Sequence, residues 1–139
     1  MTSVIARGRT LWHIENAMSF DLAIDRTAQF IRVTVTGRPS LGQLLSLIHL
    51  LGVESEDWQD DMVLVDLRGV LTPFDHAEQF RIGEEAALSL SHIDRIASVV
   101  PPDRVTRVSE KAAQRNGTNV RVFDDEEQAI AWLRSPRPP

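Results

Sequence analysis

Apolar and polar positions alternate most cleanly early in the chain. Ile31, Val33 and Val35 are interleaved with Arg32, Thr34 and Thr36. This period of two predicts a strand over Phe30 to Thr36 with one wetter face, as in an antiparallel hairpin. Met18 to Ile24 reads as its partner strand, and the link Asp25 to Ala28 is short enough for a hairpin loop. The pattern then changes. Gly37-Arg38-Pro39 ends the strand and Ser40 is placed to cap a helix over Leu41 to Val53, with Leu41, Leu44, Leu45, Ile48 and Leu51 as its core stripe. Met62 to Leu67 is a nearly unbroken apolar run, suited to a central strand covered on both faces. Thr72 and Pro73 predict the cap and first turn of a second helix reaching Leu90. Ile96 to Val100 predicts another buried strand, stopped by Pro101-Pro102. A third helix follows over Asp103 to Arg115, with Asn116-Gly117 as its stop. Asn119 to Leu133 closes the pattern. Val120, Val122 and Phe123 form strand, Asp124 and Glu127 have capping-box spacing, and Ile130 and Leu133 pair at i, i+3 beside Ala129 and Trp132.

The element order is therefore β-β-α-β-α-β-α-β-α. An antiparallel first pair followed by strand–helix alternation implies parallel crossovers. The expected fold is α/β: a mixed four- to five-stranded sheet with an antiparallel N-terminal hairpin, packed by four helices. Residues 1–16 are expected to be an extension of uncertain structure, apolar enough at Val4, Ile5, Leu11, Trp12 and Ile14 to dock on the domain. Residues 17–134 form one domain, and 135–139 a frayed tail.

A chain of 139 residues fits one domain. At that size folding buries roughly 68% of the unfolded surface, so neither disulfide nor metal is required. The net charge of −5 argues against nucleic acid as a partner, because phosphate binding wants a basic face. Without cysteine there is no disulfide, thiolate nucleophile or thiolate metal site. No apolar run approaches a membrane span, and Arg7, Gly8 and Arg9 interrupt what would be a signal-peptide core, so a cytoplasmic protein is expected.

Three segments carry a family resemblance: V-L-V-D-L-R-G-V from Val63, R-I-A-S-V-V from Arg95, and V-R-V-F-D-D-E-E-Q-A-I-A-W-L from Val120. With the element order they make the chain, over about residues 18 to 134, resemble the SpoIIAA-like family within the STAS group (sulfate transporters and anti-sigma-factor antagonists). The resemblance implies a mixed sheet packed by helices and a non-enzymatic role in binding a partner protein, a small ligand or a lipid. There is one departure. The group's antagonists carry a phosphorylatable serine at the start of the helix after the central strand, in an Asp-Ser-Ser-Gly-like setting. Here the stretch reads L-T-P-F-D-H, in which Thr72 bears the sole hydroxyl.

The candidate site lies in the turn from Asp66 to His76, because ligands in parallel α/β folds bind beyond the carboxyl ends of the strands. Arg68, Phe74, His76 and Asp66 are expected around one depression at a helix N-terminus, which offers free N–H groups and positive charge. His76, Phe80, Gly83, Ala87 and Leu90 recur at spacings of four and three, which places His76 inward. The plain alternative is a half-buried histidine, a solvated arginine and a backbone-satisfied aspartate. On the first helix, Leu47 and Leu50 widen the apolar stripe and suggest a lipid, partner or membrane surface, unless the extension covers them. The acidic run Glu54 to Asp61 lacks the order of a calcium loop and reads as a solvated loop. Histidines 13, 49, 76 and 92 lack metal-ligand spacing, no phosphate- or dinucleotide-binding glycine motif is present, and no cofactor is expected. Three readings stand: a non-catalytic module docking a small apolar or anionic ligand or a protein; a regulator of a kinase or sigma-factor system; and a small enzyme using His76 as acid or base with Asp66 as its orienter. Peripheral membrane contact and a homodimer stay open beside all three.

Overall fold

A computed structural model describes residues 2–7, 10–16, 20–27, 29–58 and 62–136, with the backbone alone for those before residue 20. The chain runs through β1 (Thr2–Arg7), β2 (Thr10–Asn16), β3 (Phe20–Arg26), β4 (Ile31–Gly37), α1 (Leu41–Ser55), β5 (Met62–Val70), α2 (His76–Leu90), β6 (Arg95–Val99), α3 (Val108–Arg115), β7 (Val120–Phe123) and α4 (Glu126–Arg134). The expected mixed sheet with its β3–β4 hairpin and four helices is present. Two further antiparallel strands join it, built from the stretch expected as an extension.

Strand order follows sequence order from β1 to β7, and pairing is parallel from β4 onward. That simplicity decides the layers. Right-handed crossovers between successive parallel neighbours all place their helices on one face, so α1, α2 and α3 share a side. α4 follows the last strand and covers the other, against β5, β6 and β7. β5 and β6 are neighbours, paired Met62↔Arg95 through Asp66↔Val99. They form the buried centre that their apolar runs predict. The sheet divides the core accordingly. Leu22, Ile24, Ile31, Val33, Val63 and Ile96 face the three-helix side, while Phe30, Leu64, Ala97 and Val99 meet Ala129 and Leu133 of α4.

The register between β4 and β5 shifts once. Thr34 pairs with Asp66, but Thr36 pairs with Gly69, so β5 carries one extra residue there. Such a bulge flips the facing of everything beyond it. Val65 and Leu67 face the three-helix side, and the bulge brings Val70 to that side as well.

Several helix boundaries differ from expectation. Ser40 caps α1 as expected, in a reciprocal box with Gln43. α2 begins at His76 rather than near Thr72. Asp75 is its cap, accepting from Glu78 N at 2.8 Å while the Glu78 carboxylate accepts from Asp75 N. Thr72 instead donates its hydroxyl to the Pro39 carbonyl at 2.6 Å. α3 begins at Val108, after a 3-10 turn over Pro102–Arg104 and a left-handed Arg107 with φ of 63° that blocks a continuous helix. α4 is capped by Asp125, not Asp124, through a bond from Glu127 N at 2.9 Å and without a reciprocal box.

The helices α1, α2 and α3 pack closely because each of their two contacts is made at a glycine. A Cβ on Gly83 of α2 would press on the Ser109 carbonyl oxygen and lie 2.7 Å from the Ala112 Cβ of α3. Gly52 of α1 makes the corresponding approach to Ser89 at the end of α2. Beyond β6 the free edge of β7 is satisfied by α3. Glu110 accepts from Val122 N at 2.8 Å, and Gln114 donates to the Val120 carbonyl at 2.8 Å.

Candidate functional site

The segment from Asp66 to His76 divides between the two faces of the sheet. Asp66 and Arg68 point toward α4. There Asp66 Oδ1 accepts from Arg68 N at 3.1 Å and from Arg68 Nε at 3.0 Å, and Oδ2 accepts from Arg68 Nη2 and Arg32 Nη2, each at 2.8 Å. Glu126, the first residue of α4, receives the same two guanidiniums at 2.6 and 2.8 Å. Burial pushes the Asp66 carboxyl up, but hydrogen bonds from Arg68 and the charges of Arg68 and Arg32 outweigh it and hold the group below the ordinary aspartate value. Arg68 is correspondingly raised, first through its bond to Asp66. This is a cross-linked ion cluster joining β4, β5 and α4.

A second polar anchor on this face lies at the far end of α4. Arg95 is buried and donates to the carbonyls of Trp132 at 2.6 Å and Ser135 at 2.8 Å. A cation there complements the negative end of the helix. Its guanidinium also lies 5.5 Å from the Trp132 ring centre, and Phe123 packs on the same indole at 5.9 Å. Trp132 is partly buried, consistent with an indole that closes the helix against the sheet.

On the three-helix face there is a cavity of about 380 Å³. Its floor is the sheet, with Val33, Val65 and Leu67 among the lining side chains, and its walls come from α1 and α2 through Leu44, Leu47, Ile82 and Ala86. Its deep end is apolar. At the carboxyl ends of β5 and β6 the lining turns polar, with Thr72, Gln79, Asp103, Arg104, Thr106 and Ser109. This is the end at which parallel α/β folds receive ligands, and the size falls within the roughly 300–1,000 Å³ of small-molecule sites.

The four expected site residues are therefore not gathered in one depression. Asp66 and Arg68 bond to each other on the α4 side. Phe74 lines the cavity on the opposite side. His76 is exposed at the first turn of α2 and borders neither. Its expected inward facing is corrected by the helix itself: Gln79, Ile82, Gly83, Ala86 and Leu90 turn to the cavity, leaving Phe80 42% exposed. The expected surplus surface on α1 is corrected too. The buried stripe is centred on Leu44, Leu47 and Leu51, so Leu47 lines the cavity and Leu50 packs at the margin of the core.

Arg32, Glu126, Arg95 and Arg104 escaped the sequence reading. Arg32 had a usable signal, because it stands on the wetter side of a clear alternation beside a strand carrying a buried aspartate. Among the described residues no group of three or more histidine, aspartate or glutamate side chains is disposed to hold a metal ion. Nor is any helix long and apolar enough to cross a membrane.

The profile of the SpoIIAA-like family matches residues 30–134. Among solved structures, an anti-sigma factor antagonist from Mycobacterium paratuberculosis aligns with a TM-score of 0.62 at 13% identity, covering 87% of this chain and 99% of that one. A protein of the DUF3478 family with a SpoIIAA-like fold, from Shewanella loihica PV-4, aligns with a TM-score of 0.53 at 13% identity, covering 93% and 98%. At that identity the likeness concerns the fold. No curated protein matches in sequence.

Proposed function

The chain belongs to the SpoIIAA-like family, and from that premise we propose that it is a binding module that takes up a small apolar molecule without transforming it. One observation carries the reading: a cavity of about 380 Å³ bounded by the sheet, α1 and α2, with an apolar interior and a polar mouth. Protein interiors are ordinarily packed without voids of this size, and an apolar cavity gains free energy by being filled. The chemistry around it supports binding rather than turnover. The Thr72 hydroxyl is engaged with the Pro39 carbonyl. His76 and Asp66, the pair that an acid–base mechanism would need, lie apart, and Asp66 is held by two arginines.

The test uses a neutral, apolar fluorescent dye such as N-phenylnaphthylamine. Wild-type protein is expected to bind it saturably with enhanced emission. Ala86→Phe, which projects a ring into the cavity from α2, is expected to abolish binding while leaving a cooperative thermal transition. Dye binding that survives Ala86→Phe, or no binding by wild type, would refute the reading.

The regulator reading keeps one supporting observation, the likeness to a solved anti-sigma factor antagonist. In that reading Thr72 would be the modified residue, and phosphorylation would break its bond to Pro39. Mass spectrometry of the phosphorylated protein after incubation with a cognate kinase would test it, and an unmodified Thr72 would remove it.

A further inference from the structure

The mouth of the cavity holds a guanidinium that, like Arg95 on the opposite face, is bound to neutral oxygen alone. Arg32 and Arg68 are each bound to two carboxylates, and Arg107 to Glu110 at 2.9 Å. Arg104 is partly buried on the cavity lining, and its Nη1 donates to a neutral acceptor, the Val70 carbonyl at the end of β5. Among the described residues no carboxylate pairs with it. A partly desolvated charge bound only to a neutral oxygen gains most from an anionic acceptor.

The surroundings favour the same sign. The rim adds the hydroxyl groups of Thr106 and Ser109. It also carries Asp103, which opposes Arg104, but Asp103 is exposed, where solvent and salt screen it more strongly than a partly buried group. Behind the rim the lining is apolar, Ser98 of β6 apart, as far as Leu51, Leu90 and Ile96. A methylene takes up about the roughly 30 Å³ of one liquid water, so the cavity accepts on the order of a dozen heavy atoms.

We infer that the cavity takes a medium-chain amphiphile with a carboxylate head, its tail beneath α1 and α2 and its head on Arg104 in place of the Val70 carbonyl. The inference rests on the cavity reading above and adds the charge and polarity of the occupant. Arg104 then determines which head group is accepted.

Decanoate and decanol share a tail and differ in head group, so calorimetric titration with both isolates the contribution of Arg104. Wild type is expected to bind both. In Arg104→Gln the ratio of decanol to decanoate dissociation constants should fall about tenfold, the size expected when a hydrogen bond to a charged group is lost. At low ionic strength, where the exposed Asp103 is least screened, Asp103→Asn should tighten decanoate binding and leave decanol alone. A ratio unmoved by Arg104→Gln would overturn the inference, and so would decanol binding to wild type without decanoate. In both cases the cavity reading would survive. Binding of neither ligand would overturn both. If Arg104→Gln lost both ligands through misfolding, Asp103→Asn decides alone, and unchanged decanoate affinity in it would overturn the inference.

Discussion

Arg32 and Arg68 stand on neighbouring strands and donate through their Nη2 atoms to the same two oxygens, Asp66 Oδ2 and Glu126 Oε1. Asp66 is the buried member of this cluster, so removing its charge leaves two guanidiniums sharing one carboxylate. Asp66→Asn should cost about 1–3 kcal/mol at neutral pH. Because the folded-state carboxyl lies below its ordinary value, its contribution is present above the unfolded pKa of about 3.9 and is lost as pH falls through the lower folded value. Urea unfolding of wild type and variant between neutrality and pH ~3 should show the gap closing only below about pH 4. A gap constant across that range would mean that the charge contributes nothing.

Gly83 is tolerated in mid-helix because α3 occupies the space a side chain would need. Alanine favours a helix over glycine by about 1 kcal/mol, but here its methyl meets backbone oxygen. Gly83→Ala should therefore destabilise by about 1–3 kcal/mol, the usual result of overpacking. Gly42 on α1 has open space beside it, and Gly42→Ala should stabilise by up to about 1 kcal/mol. Thermal melts of the two variants should move in opposite directions.

Trp132 links Phe123 of β7 to Arg95, which holds the carboxyl end of α4. Trp132→Ala would remove the ring contact and the two cation–π contacts, with Arg95 and Arg121, together. Being partly exposed, the indole should cost less than a fully buried one, about 2–3 kcal/mol. Trp132→Phe should recover much of that. Chemical denaturation would report both values, and a neutral Trp132→Ala would place α4 outside the cooperative unit.

Strands β3 to β7 were legible because their signals are local, whereas β1 and β2 lie in the stretch expected as an extension. The alternation of Ile31, Val33 and Val35 marks β4, and the run from Met62 marks β5, whatever the rest of the chain does. Helix starts were less so. Thr72 and Asp75, or Asp124 and Asp125, are all competent caps, and the choice depends on a partner elsewhere: Pro39 engages Thr72, and Glu78 completes the box on Asp75. The family was legible from three segments, above all the closing one, but the four residues expected around one depression are divided between the two faces of the sheet and the exposed start of α2. Spacing along β5 does not reveal that Arg68 will find Arg32 and Glu126 across the sheet. The cavity has no sequence signature, since it is the space left between the sheet and the helices that cross it, with Ala86 among its lining. Arg104 reads in the sequence as an ordinary charged residue in a turn.

The extra residue in β5 sends Arg68 and Val70, two positions apart in the chain, to opposite layers. The sheet itself separates those layers, with α4 on one side and α1, α2 and α3 on the other. The partners of Asp66, namely Arg32, Arg68 and Glu126, do not line the cavity, and the energies of substitutions that share no partner usually add within about 0.5 kcal/mol. A double-mutant cycle pairing Asp66→Asn with Ala86→Phe should thus close with almost no interaction energy. The molecule keeps its structural ion cluster and its cavity as separate ledgers, free to vary independently although one short strand supplies both.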